Sequence, residues 1–107
     1  MDASQDRGDR ARAMPADFEA FAAEARARGH AEALVREWEP GHVTPVHSHP
    51  FDTMAVVVRG AFVLVVGGEE RRLVAGDRFE LARGIDHAER YGPEGATFWV
   101  ARRSPLA

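Results

Sequence analysis

Apolar side chains recur at helical spacing near the start of the chain. Phe18, Phe21, Ala22 and Ala25 fall at i, i+3, i+4 and i+7, which predicts an amphipathic helix over residues 15–29. Pro15 suits its first turn, Arg26 and Arg28 suit its last, and Gly29 suits its C-cap. A single helix of this length is not stable alone, so its two Phe residues should dock on something larger. After Gly29 the pattern shortens to strand-like runs: Ala33–Trp38, Val43–His49, Thr53–Val58, Ala61–Val66, Glu70–Val74, Arg78–Leu81, His87–Tyr91 and Ala96–Ala101. Pro40-Gly41, Pro50, Gly60, Gly67-Gly68, Gly76-Asp77, Gly84 and Gly92-Pro93 separate them. Gly67-Gly68 between two apolar runs is a two-residue hairpin signal. Eight short strands at spacings of about ten residues, with no helix between them, predict an antiparallel sandwich or barrel. Residues 1–14 mix Asp, Arg, Ser and Gly and read as a flexible arm. The expected layout is therefore an arm over 1–14, a helix over 15–29 and a barrel over 30–107.

Composition narrows the chemistry. A chain of 107 residues fits one domain. With 45% hydrophobic and 29% charged residues, it reads as a soluble globular protein. A net charge of -3 argues against a nucleic-acid partner. No apolar run approaches the ~18 residues of a membrane span, and the N-terminus lacks the apolar segment of a signal peptide. A cytoplasmic location with no membrane partner is the expectation. Cysteine and lysine are both absent. Thiol catalysis, disulfides, iron–sulfur clusters, Schiff bases and the P-loop lysine are excluded with them. Chemistry must come from His, carboxylates, Tyr91 and hydroxyls, or from something bound.

The five histidines are His30, His42, His47, His49 and His87. On a strand, His47 and His49 point to the same face, a natural start for a Zn, Ni, Fe, Mn or Cu site. The alternative is a surface strand carrying two solvated imidazoles. Two longer spacings add context. Gly41-x5-His47-x-His49 is followed by Gly60, and Gly76-x5-Ala82-x-Gly84-x2-His87 follows it. At these positions the chain resembles the cupin family, over residues 33–101. The resemblance implies an all-β fold, a double-stranded β-helix (jelly-roll) barrel, here with one N-terminal helix. It also implies one divalent transition metal per chain (Fe, Mn, Ni, Zn or Cu), held by two His and a Glu from the first motif and one His from the second. By position, His47, His49 and His87 match the three His. Thr53 stands where the Glu belongs, Ala82 where the second motif has Pro, and Tyr91 where it has Asn.

Three readings of the missing carboxylate stay open. The metal keeps three His and water; three neutral ligands then leave its charge uncompensated, which favours anionic substrates. Alternatively Asp52 replaces the Glu as fourth ligand, which needs a bulge because residues 52 and 53 of an ideal strand face opposite ways. Alternatively no metal binds and the pocket takes an organic ligand directly. Glu89 and Tyr91 share the His87 face by alternation, as candidate catalytic residues: Glu89 a proton carrier or hydrogen-bond acceptor, Tyr91 a donor. A strand end that curls outward would instead leave Glu89 in solvent. Arg36 shares a face with Trp38 and is either an anion clamp or a surface residue. His30, past the helix end, is solvated or paired with the helix dipole. The functional classes are a metal-dependent oxygenase or isomerase acting on a small molecule, or a non-catalytic small-molecule or metal-sensing module. A homodimer is expected under either.

Overall fold

The structure is a computed structural model and describes residues 14–104. The expected arm over 1–14 lies outside the described residues except for Met14. Helix α1 spans Phe18–Ala27, starting at the first residue of the apolar stripe and three residues later than the expected 15–29. Asp17 is the reason: its extended backbone and its Oδ1, which accepts from the Ala20 N–H at 2.8 Å, make it the N-cap. Pro15 and Ala16 therefore precede the helix. The buried stripe is Phe21, Ala22 and Ala25, as the spacing predicts.

Five strands follow: β1 (Glu32–Trp38), β2 (Asp52–Val66), β3 (Glu69–Val74), β4 (Arg78–Leu81) and β5 (His87–Arg103). All pairings are antiparallel, in the order β1-β5-β2-β3, with β4 also on β2. Gly67 and Gly68 form the two-residue β2–β3 hairpin, both at positive φ, as a primed turn requires. The eight expected strands become five: two pairs fuse where glycines bend the chain without ending it, and one run forms no strand. Thr53–Val58 and Ala61–Val66 fuse into β2 across Gly60, where the register shifts. His87–Tyr91 and Ala96–Ala101 fuse into β5, with Gly92, Pro93, Glu94 and Gly95 bulging opposite Ala61 alone. Such bulges turn a sheet into a barrel corner.

Val43–His49 is not a strand. Pro40, Pro45 and Pro50 remove ladder donors from this stretch, which makes only isolated bridges to β5 at Val43–Arg90 and His47–His87. Thr44 compensates locally. Its N–H donates to the Glu89 carbonyl at 3.0 Å, and its Oγ1 accepts from the Glu89 N–H at 2.9 Å.

Alternation along β2 splits the core in two. Ala55 and Val57 point into the barrel with Phe62, Leu64, Leu73, Phe79, Tyr91, Phe98 and Val100. Met54 and Val56 point outward, with Ala101 and Trp99, and are covered by Phe21 and Ala25 of α1. Residues 54–57 are thus buried on both faces, which explains an unbroken apolar run in an antiparallel sheet. Arg78 on β4 anchors α1 through two bonds to the Glu24 carboxylate, at 2.7 and 3.0 Å. The Arg78 guanidinium holds the Glu24 carboxyl below its usual range. His30 is buried beside α1, with Nδ1 3.3 Å from the Ala25 carbonyl, so its place is at the helix end and not in solvent.

Candidate functional site

The barrel is closed at one end by packed rings: Phe62 lies 4.7 Å from Phe98, 5.2 Å from Tyr91 and 5.6 Å from Phe79, between centroids. Toward the other end it opens into a cavity of ≈110 Å³. Phe79, Leu81, Phe98 and Val100 give it an apolar lining, and its polar groups are His47, His49, His87, Glu89, Thr53, Arg36 and Arg102.

His47 and His87 face each other across a two-bond bridge, with backbone N–H to carbonyl distances of 2.9 and 2.8 Å. His49 joins them. The three candidate ligand nitrogens lie within 4.8 Å of one another. The convergence expected from strand alternation is present, although bridges and not a regular ladder produce it. Two tautomers are fixed by the backbone. His47 Nδ1 lies 2.7 Å from the Pro45 carbonyl oxygen and His87 Nδ1 3.0 Å from that of Ile85. A carbonyl only accepts, so each Nδ1 carries the proton and each Nε2 presents a lone pair. Burial first, and then the neighbouring His87, His47 and Arg102, hold His49 below the ordinary imidazole pKa. Its ring stacks on Phe51 at 4.9 Å. Three imidazoles with their ligand nitrogens this close are the donor set of a borderline metal ion, and these residues fit one.

A carboxylate of β5 lies beside the histidines. Glu89 is 8% exposed, so β5 does not curl it into solvent. Its Oε2 sits 3.5 Å from His47 Nε2 and 3.9 Å from His87 Nε2. Its Oε1 accepts the Tyr91 hydroxyl at 2.5 Å. Burial, and then the Glu89 charge, push the Tyr91 phenol far above its ordinary value, so it stays a donor. Tyr91 does not line the cavity; it reaches the site through Glu89.

Asp52 is elsewhere. It sits at the opposite parity to Thr53 and stays there, because β2 has no bulge at this point. Its Oδ1 accepts the Arg83 backbone N–H at 2.9 Å, and its Oδ2 accepts Arg103 Nη2 at 2.9 Å and Nε at 3.2 Å. The Arg83 N–H and the Arg103 guanidinium hold its carboxyl below its usual range. The structure does not bring Asp52 to the histidines as a fourth ligand. Asp52→Asn is expected to leave metal affinity within about twofold of wild type, less than the 10–100-fold effect of losing even a residue that supports a ligand. Titration calorimetry with Zn(II) checks it. Arg36 lines the cavity, its guanidinium 4.8 Å over the Trp38 ring. Arg102 lines it too, and sequence reasoning missed it.

A jelly-roll barrel with a three-histidine group suited to a metal ion at one mouth is the class this fold and site define. The profile of the cupin domain family matches residues 34–99, and the chain belongs to that family. Among solved structures, KdgF from Halomonas sp. is 29% identical at a TM-score of 0.57, over 65% of this chain and 66% of that one. The DMSP lyase DddQ from Ruegeria pomeroyi DSS-3 is 28% identical at 0.63, over 69% of this chain and 38% of that one. An RmlC-like cupin from Shewanella frigidimarina is 25% identical at 0.61, over 72% and 69%. No curated protein matches this chain.

Proposed function

We propose that this cupin is a metal-dependent enzyme, an oxygenase or isomerase, acting on a small molecule in the barrel cavity. The observation that carries the reading is the convergence of His47, His49 and His87, whose ligand nitrogens lie within 4.8 Å of one another, with Glu89 Oε2 3.5 Å and 3.9 Å from the Nε2 atoms of His47 and His87. His47, His49 and His87 would hold one divalent ion, with Glu89 as the carboxylate beside it. Bound there, the ion would supply Lewis acidity, or redox chemistry if it is Fe, Mn or Cu. Glu89 Oε2 is free of the Tyr91 bond and accepts a proton from substrate in the cavity. Tyr91 is a positioning residue that fixes the carboxylate plane. The apolar lining excludes water. Likeness to a DMSP lyase supports small-molecule chemistry. Pairing as a homodimer belongs to the same proposal. Strand β1 lies at a free edge of the sheet and Val35 on it is 48% exposed.

The test is a turnover screen on metal-loaded protein, reading dioxygen uptake for Fe(II) and solvent-deuterium incorporation for Zn(II) or Ni(II), with diketones and hydroxy acids. Glu89→Gln keeps the shape and removes the charge. It should abolish turnover and weaken metal binding by about 10–100-fold, as for losing a charged group next to a metal's ligands. Turnover unchanged in Glu89→Gln contradicts the role given to this residue. Thermal stabilisation by a panel compound without any turnover would favour a sensory module.

A further inference from the structure

The cavity has a second pole, opposite in chemistry to Glu89. Arg102 on β5 and Arg36 on β1 both line it. Each guanidinium lies over an aromatic face, Arg102 4.7 Å from the Phe51 ring and Arg36 4.8 Å from that of Trp38. Stacking fixes the planes of the two guanidinium groups and leaves N–H edges to bond an acceptor. Among the described residues no acceptor meets them fully. Arg102 Nε is buried without a hydrogen-bond partner. The nearest acid to Arg102 is Glu32, 3.6 Å from Nη1 with its own side chain 65% exposed. Among the described residues Arg36 makes no ion pair. The Trp38 indole N–H, at the far end of β1 from Arg102's partner Glu32, is also buried and unpartnered among the described residues. A buried N–H without an acceptor carries its full desolvation cost, so the Arg102 Nε–H points to an acceptor that the described residues do not supply.

The register says what is missing. Thr53 is the direct partner of Arg102 across the β2–β5 ladder, is 9% exposed and lines the cavity. A hydroxyl therefore stands on the face where Arg102 would otherwise meet a charge. Glu89 is the one carboxylate among the described residues lining the cavity, and it is committed to Tyr91 and the histidines. Two fixed cations against one acid give the cavity an excess of positive charge over an apolar floor.

We infer that the cavity takes a small organic carboxylate, its anionic group bonded to Arg102 beside Thr53 with Arg36 adding charge, and its hydrocarbon part on Phe98, Val100 and Leu81. This rests on the proposed reading of the cavity as a small-molecule site, and names the class of molecule. Bidentate guanidinium–carboxylate pairing is the geometry that such a fork offers.

The experiment compares two isosteric probes, butyrate and butyramide, by titration calorimetry on the full chain, with and without Zn(II). Butyrate is expected to bind at least tenfold tighter than butyramide in both forms. Arg102→Gln should remove at least tenfold of the butyrate affinity and leave butyramide unchanged. Thr53→Glu supplies a carboxylate from the chain itself, and should likewise displace butyrate while Zn(II) affinity holds or rises. Arg102→Lys, which keeps the charge and loses the fork, should fall between wild type and Arg102→Gln; circular dichroism confirms that each variant is folded. Equal affinity for the two probes, no binding of either at millimolar concentration, or butyrate affinity unchanged in Arg102→Gln overturns the inference. The metal reading is judged separately. A chain that refuses Zn(II) but still selects butyrate through Arg102 keeps this inference and loses the proposed metal chemistry. A chain that binds Zn(II) without that selectivity does the reverse.

Discussion

Phe62→Ala is expected to lower the free energy of unfolding by about 3–5 kcal/mol. Phe62 is 1% exposed and touches Tyr91, Phe79 and Phe98 at once. Truncation therefore loses the transfer energy of the ring and leaves a void that three aromatic neighbours cannot all collapse to fill. Domains of this kind hold a total of about 5–15 kcal/mol, so the variant stands near the edge of folding. The same change reaches the site. Tyr91 stacks on Phe62 and holds Glu89, so Phe62→Ala should weaken metal binding as well as stability. Urea unfolding of the metal-free protein measures the first effect. A loss below about 1 kcal/mol, the usual result for a surface substitution or a mild core swap, would contradict this packing.

The second large effect is expected at the barrel corner. Gly60 has φ +79°, and a Cβ there would overlap the Gly95 carbonyl oxygen and stand 2.9 Å from Ala96 Cα. Both obstacles are backbone, so neither can swing aside. Gly60→Ala carries about 1–2 kcal/mol for the left-handed conformation, and further strain from displacing the β5 bulge, for a total of about 3 kcal/mol or more. Gly67 provides the control. It too has positive φ, +57°, but nothing lies within 4 Å of its added Cβ. Gly67→Ala should therefore cost only the conformational part, about 1–2 kcal/mol. Comparing the two variants by urea unfolding isolates the close approach, and equal losses would rule it out.

These two positions also show what the sequence could and could not reveal. The α1 stripe and the Gly67-Gly68 hairpin were legible because local spacing alone determines them. So was the convergence of His47, His49 and His87, since two short motifs position them. The boundaries of β2 and β5 were not, because a glycine that ends a strand and one that bends it leave the same mark. Gly60 is of the second kind, and only its approach to Gly95 distinguishes it. The choice between carboxylates was half legible. Parity alone placed Asp52 away from the cavity and Glu89 beside His87. Whether β5 stays straight through Glu89 depends on the Tyr91 hydroxyl, the Thr44 side chain and the 41–47 segment alongside, contacts distant in sequence. Arg102 was not legible at all. Nothing in Ala101-Arg102-Arg103 says which arginine turns inward. The structure divides them: Arg102 lines the cavity while Arg103 pairs with Asp52 outside it.

The most direct test of the metal centre is the metal content per chain, by plasma mass spectrometry, of tag-free wild-type protein beside a His47→Ala, His87→Ala double variant. The account predicts about one equivalent of a transition metal in the wild type and none in the double variant, since two of the three imidazole donors are gone. A wild-type chain that is metal-free and refuses added Fe(II), Zn(II) and Ni(II) would contradict it.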